Sequence, residues 1–207
     1  FNAGPSILPR SVFEEASKAV LNFNDTGLSI LEIGHRTPIF QAVMDETIAL
    51  VKELMLLEDE HEVLFLHGGA STQFMQVPMN LLDDKETAAF TDTGVWSTKA
   101  IKEAKLFGKV EIVCSSKESN FTYIPKDFAV PNDAKYLHIT TNNTIYGTQW
   151  QKIPKTSNSL VADMSSDILS REIDFNSFGL IYEKKKKNIG AAGVNVVVIN
   201  KNILGKV

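Results

Sequence analysis

Cysteine is almost missing from this chain: Cys114 is the only one in 207 residues. That excludes an internal disulfide and any multi-thiolate metal site built from one chain, so no metal is expected. A lone thiol is compatible with a reducing compartment. Long apolar runs are missing too. None approaches the roughly 18 residues of a transmembrane helix, so no membrane partner is expected. The opening Phe1-Asn2-Ala3-Gly4-Pro5 has no basic stretch ahead of an apolar one, so no secretory signal is expected, and a cytoplasmic location is. There is no excess of positive charge. With 21 Lys+Arg against 25 Asp+Glu the net charge is −4, which offers nothing to nucleic acid or an anionic surface. No internal repeat is visible, and the only low-complexity stretch is Lys184–Lys187.

What is present is enough apolar material to fold. Hydrophobic residues make up 43% of the chain, which argues against disorder. A chain of this size buries about 70% of its unfolded surface. At roughly 150 residues per domain it holds one domain, or one and a part. Val12, Phe13, Ala16, Ala19, Val20 and Phe23 recur at helical spacing and predict an amphipathic helix over about 10–22, with Pro9 in its first turn. Ile39, Val43, Ile48, Val51 and Leu54 predict a second over about 37–57. The rhythm then changes. Short apolar runs at 63–66, 87–90, 110–113, 136–140, 160–163, 180–182 and 194–199 predict strands, with helices near 70–81 and after Gly94 to about 105. Strands interleaved with helices predict an α/β fold with a mostly parallel sheet.

Several segments carry candidate chemistry. His67-Gly68-Gly69-Ala70-Ser71 joins a buried strand to a helix start. A helix N-terminus has free N–H groups and partial positive charge, and glycines let an anion approach closely, so this is a candidate phosphate cup. A Gly-Gly turn used only for its geometry reads the same way. The run Val161-Ala162-Asp163 delivers a carboxylate to a strand's C-terminal end, where open α/β sheets bind ligands. A helix cap is the competing reading of Asp163 and the serines after it. Trp96 could stack on a flat ring or fill core. Thr141-Asn142-Asn143-Thr144 supplies polar groups after a strand, as an ordinary turn also would. His35-Arg36 offers donors to an anion or is a surface pair. A lysine of the 184–187 run could act as a Schiff-base nucleophile if its pKa were lowered, although such runs are usually solvated. In chain order these are a cup, a plate, a polar loop, a strand-end carboxylate and an amine. That set suits pyridoxal 5′-phosphate.

With those residues in hand a resemblance is apparent. Phe1–Pro9, Glu32-Ile33-Gly34-His35-Arg36, Gly68–Ser71, Thr93-Gly94-Val95-Trp96, Thr141–Gly147 and Ala162–Arg171 resemble motifs of the phosphoserine aminotransferases, class V members of the fold-type I pyridoxal-phosphate group. The likeness runs over essentially the whole chain. It implies a three-layer α/β sandwich with a mostly parallel mixed sheet, the large domain of that group. Residues 1–10 would be an N-terminal arm and 11–207 the cofactor-binding large domain. It implies that Ala70 and Ser71 bind the cofactor phosphate, Trp96 stacks on the pyridine ring, and Thr144 bonds near the phenolic oxygen. Asp163 would keep the ring nitrogen protonated. Lys187 would bond the cofactor aldehyde and shuttle the proton. His35 and Arg36 would contact substrate phosphate in the partner subunit's site of a homodimer. The implied reaction converts 3-phosphohydroxypyruvate and glutamate to O-phosphoserine and 2-oxoglutarate, a step of serine and possibly pyridoxine biosynthesis.

Two departures qualify the likeness. Family members continue through a C-terminal small domain that carries the arginine for the substrate carboxylate, and this sequence does not include it. The family also has small residues and then Gln before its lysine. Here Glu183-Lys184-Lys185-Lys186 stands there, with Lys184 in place of a glycine and Lys186 in place of the phosphate-binding Gln. Crowded ammonium groups would lower the pKa of Lys187 but are costly to bury together. Lys184–Lys186 also read as having no function. The alternative to an aminotransferase is thus an impaired fragment acting as a fold or dimerisation module. A generic nucleotide-binding domain fits poorly, because no G-x-G-x-x-G follows a first strand. A desulfurase fits poorly, because Cys114 lies on a strand candidate far from the motifs.

Overall fold

The computed structural model describes residues 7–184, 189–190 and 193–205. Four α-helices and nine strands are described: α1 (Arg10–Leu21), α2 (Pro38–Leu54), β1 (His61–Leu66), α3 (Gly69–Leu81), β2 (Thr87–Asp92), α4 (Val95–Ala104), β3 (Lys109–Ser115), β4 (Tyr136–Thr140), β5 (Asn142–Asn143), β6 (Thr148–Gln149), β7 (Ser159–Asp163), β8 (Leu180–Lys184) and β9 (Asn195–Asn200). Seven strands form one sheet in the order β1-β9-β8-β7-β4-β2-β3, and β5 and β6 pair separately as a small hairpin.

Within the sheet β3, β2, β4, β7 and β8 pair in parallel, while β9 is antiparallel to both of its neighbours. Because β9 alone is reversed, β1 runs the same way as β8. The C-terminal ends of β1, β2, β4, β7 and β8 therefore reach one edge of the sheet. The central strands β4 and β7 are buried almost throughout, as continuous apolar runs covered on both faces should be.

Alternation along the strands splits the interior in two. One face packs Phe90, Tyr136, Val161 and Tyr182 against Phe74 and Val77 of α3 and Ala100 and Ile101 of α4. The other packs Leu137, Ile139, Ala162, Ile181 and Val198 against Val51, at the end of α2, and against Met55 and Phe175. This is the three-layer arrangement that the family resemblance implies. Thr37 caps α2 by accepting the Phe40 N–H, with Pro38 in the first turn, where a missing donor costs little.

The first helix forms where its apolar spacing predicts, over Arg10–Leu21, yet no residue of α1 is buried, and Phe13 is 57% exposed. Periodicity identifies the helix, but it does not say what covers it, and no described element packs its apolar stripe into a core. Pro9 lies one residue outside α1 as its N-cap, not inside the first turn.

Candidate active site at the strand ends

The turn from β1 into α3 is built on two glycines in the left-handed region, Gly68 at φ +111° and Gly69 at +76°. A Cβ at Gly68 would lie 2.4 Å from Thr72 Oγ1, so both backbone and space demand glycine. Thr72 Oγ1 donates to the Gly68 carbonyl at 2.7 Å and pins the first turn. Among the described residues no side chain caps the helix, and its first turn holds no acidic residue. Its positive end is thus open to an anion. Ala70 is half-buried against the α3/α4 core, and Ser71 is exposed. The Lys184 side chain lies beside this turn: a Cβ built on Gly69 would be 3.6 Å from Lys184 Nζ. An ammonium and a helix N-terminus on one turn make a doubly positive cup.

Asp163 ends β7 and is only 4% exposed. Its Oδ1 accepts the Ser165 N–H at 2.9 Å, and its carbonyl accepts the Thr141 N–H at 3.0 Å. The carboxylate therefore caps the following turn and stands at the strand end as well. The two readings of its sequence are compatible. In register Asp163 lies between Thr140 and Tyr182, all on the α3/α4 face. Among the described residues Thr140 Oγ1, buried there, has no hydrogen-bond partner. Deeper on that face His138 Nε2 and Tyr182 Oη lie 2.8 Å apart, and the imidazole stacks on Phe90 with centroids 4.8 Å apart. Burial pushes the His138 pKa down to about 3, so it stays neutral, and burial, then the charge of Asp163, raises that of Tyr182.

Trp96 occupies the first turn of α4, half-buried, with Lys99 Nζ 4.6 Å from its ring centroid. That turn is braced from below. Ser97 Oγ accepts the Thr93 and Gly94 N–H groups at 3.0 Å, and Thr98 Oγ1 donates to Asp92 Oδ1 at 2.7 Å. Thr144 sits half-buried between β5 and β6. Its neighbour Asn143 is buried, accepts from Thr93 Oγ1 at 3.4 Å and donates to Thr148 Oγ1 at 3.1 Å. A Cβ at Gly94 would come within 2.5 Å of Asn143 Oδ1, so the hairpin and the start of α4 touch without room for a methyl group.

Asp163, the Gly68–Gly69 turn, Trp96 and Thr144 all belong to this one edge. His35 and Arg36 do not join them. Both are exposed in the turn before α2, without a hydrogen bond or ion pair among the described residues. Lys186 and Lys187 lie outside the described residues. Thr140 and Asp92 escaped the sequence reading, and Asn143 entered it only as part of a polar loop. The only hint of Asp92 was its place at a strand end, followed by the hydroxyl pair Ser97-Thr98 one helical turn on. Among the described residues no cluster of His, Cys, Asp and Glu could hold a metal ion, and no helix is long and apolar enough to cross a membrane.

The profile of the family Aminotransferase class-V matches residues 1–207. The chain belongs to the class-V aminotransferase family. It is 58% identical over 207 residues to the phosphoserine aminotransferase of Flavobacterium johnsoniae, covering all of this chain and 58% of that protein. The solved phosphoserine aminotransferase of Bacillus circulans subsp. alkalophilus superposes with a TM-score of 0.94 at 44% identity, over 98% of this chain and 57% of that one. The phosphoserine aminotransferase of Trichomonas vaginalis, solved with PLP bound, superposes at 0.91 with 31% identity, over 99% and 58%. This chain thus spans a little under three fifths of the relatives it matches.

The donor set suits a ligand with an anion at one end and a protonated ring nitrogen at the other. The open end of α3 and Lys184 would take the anion. Asp163 would take the ring N–H, the Thr140 hydroxyl lies beside it, and the Trp96 indole offers a flat face.

Proposed function

We propose that this chain forms the cofactor-binding part of a phosphoserine aminotransferase that holds pyridoxal 5′-phosphate across the strand-end edge. Residues 11–207 would be its large domain and 1–10 an arm. The observation that carries the reading is the buried Asp163 carboxylate at the end of β7, on the same edge as the uncapped Gly68–Gly69 turn. When bound, the cofactor supplies an electron sink for charge developing at the substrate α-carbon. Every other role falls to residues of the chain. Backbone N–H groups at Ala70 and Ser71 bind phosphate, with Lys184 adding a charge to the cup. Asp163 holds the proton on the ring nitrogen, because a buried anion beside that nitrogen favours its protonated form. Trp96 fixes the ring plane, and Thr144 donates to the phenolic oxygen. Lys187 would be the amine that holds the cofactor aldehyde, and once displaced by the substrate amine it would be the base that moves the proton from the substrate α-carbon. Lys186, which takes the place of the family's phosphate-binding Gln in sequence, would add a further contact to the phosphate. Exposed and without a hydrogen bond or ion pair among the described residues, His35 and Arg36 would reach substrate phosphate in a partner's site of a homodimer.

The reaction is transfer of the amino group of glutamate to 3-phosphohydroxypyruvate, giving O-phosphoserine and 2-oxoglutarate. Identity with the Flavobacterium johnsoniae protein supports this choice of substrates. The test is glutamate formation from O-phosphoserine and 2-oxoglutarate by the whole enzyme of which this chain would be the cofactor-binding part, with added pyridoxal phosphate, beside Asp163→Ala. Turnover that Asp163→Ala abolishes is expected. Equal rates in both proteins would overturn the reading.

A further inference from the structure

The β5–β6 hairpin cannot hold its own shape. It consists of two residue pairs, Asn142 with Gln149 and Asn143 with Thr148. Two-stranded ribbons are marginal in water even when longer. Yet this hairpin carries Thr144 and, through Asn143, abuts Gly94 at the start of the helix that bears Trp96. Something outside it must fix it.

That brace is Asp167, only 7% exposed in the loop that follows Asp163. One carboxylate oxygen accepts from Thr141 Oγ1, just before β5, and the other from Gln149 Nε2 in β6 at 3.2 Å. A single side chain therefore grips both legs of the hairpin at its base. Arg171, 3.8 Å from the same carboxylate, donates to the Trp150 carbonyl at 2.6 Å and ties down the exit. Asn142 Nδ2 donates to Ser166 Oγ at 2.9 Å, and Ser166 Oγ donates to the Asn142 carbonyl at 3.1 Å. Burial raises the Asp167 pKa, against the lowering effects of Thr141, Gln149 and Arg171. A carboxylate is an expensive choice for a merely structural acceptor here. Its use follows from geometry, since two acceptor oxygens on one carbon can serve two donors on opposite legs.

We propose that Asp167 is a positioning residue: by bridging Thr141 and Gln149 it sets where the hairpin holds Thr144 and, through Asn143 and Gly94, where Trp96 stands. Its effect on the cofactor rests on the reading above; its effect on the hairpin does not.

The test uses the full chain and two variants. Asp167→Asn keeps an acceptor for Thr141 but turns an N–H₂ toward the donors of Gln149 and Arg171. Adding Gln149→Glu restores the pairing with donor and acceptor exchanged. Hydrogen exchange at the amides of residues 143–149, without ligand, reads the brace directly. Titration with pyridoxal phosphate reads its consequence. Asp167→Asn is expected to lose hairpin protection and to bind pyridoxal phosphate about tenfold more weakly, the scale of one charge-assisted hydrogen bond. The exchanged pair is expected to recover both. Unchanged hairpin protection in Asp167→Asn would overturn the brace. Lost and restored protection with constant affinity would overturn the positioning role. Failure of the unaltered chain to bind pyridoxal phosphate would sink the cofactor reading, while the exchange data would still decide the brace.

Discussion

Gly68→Ala tests the phosphate cup most sharply, because the structure sets its cost from two sides. At φ +111° an alanine is strained, and a strained backbone position costs about 1–3 kcal/mol. The new methyl group would also lie 2.4 Å from Thr72 Oγ1 and 2.8 Å from Thr72 Cβ. Thr72 cannot retreat freely, since its hydroxyl holds the Gly68 carbonyl at 2.7 Å. Overpacking of this kind costs about 1–3 kcal/mol. Both penalties are relieved by one distortion, so the total is roughly 2–4 kcal/mol, not their full sum. With a slope near 2 kcal/mol per molar urea, the midpoint should fall by about 1–2 M. The distortion also turns the first N–H groups of α3 away from the ligand. Loss of one charge-assisted hydrogen bond should weaken pyridoxal phosphate binding by about tenfold or more, while pyridoxal, which lacks the phosphate, is little affected. Urea unfolding followed by fluorescence gives the first quantity, and parallel titrations with the two ligands give the second. An unchanged midpoint, or equal losses for both ligands, would refute the assignment of this turn to phosphate.

Three further outcomes follow from the same geometry. Lys184→Ala should weaken pyridoxal phosphate binding severalfold at low salt, and titrations at rising ionic strength should show the difference fade as the screening length shrinks toward about 3 Å at 1 M. His138 has a pKa of about 3 in the folded chain, so between there and its unfolded value near 6.5 the unfolded state binds the extra proton. Stability is therefore full above that window and falls as pH drops through it, by up to about 1.4 kcal/mol per pH unit; urea unfolding from about pH 7 to 5 should show this slope, and the double variant His138→Phe, Tyr182→Phe should lose it. Burial, and then the charge of Asp92, push the Cys114 thiol up to about 12, so a disulfide reagent near pH 8 should modify it slowly until urea unfolds the chain.

Much of this site could be read from sequence because it lies where apolar runs stop. Tyr136–Thr140 and Ser159–Asp163 are buried strands whose ends are marked by the first polar residues after them. Gly68-Gly69 is legible because two left-handed residues in a row need glycine. The hairpin was not legible. Strands of two residues have no period, and its composition reads as an ordinary turn. Asp167 was visible only as part of a family motif, since its partners Thr141 and Gln149 stand 26 and 18 residues away. Lys184 read as one of a solvated run, and only the approach of β8 to the α3 turn puts its amine beside Gly69. The stripe of α1 shows the opposite limit: spacing reveals an apolar face, and nothing in spacing tells what lies against it.

The most direct measurement is covalent. The full chain is mixed with pyridoxal 5′-phosphate, reduced with borohydride, and digested, and the labelled lysine is identified by mass spectrometry. Label confined to Lys187 is expected, and Asp163→Ala should lose most of it. Label on Lys184, label spread over Lys184–Lys187, or none at all would contradict a site built from Asp163, the Gly68–Gly69 turn and Lys187.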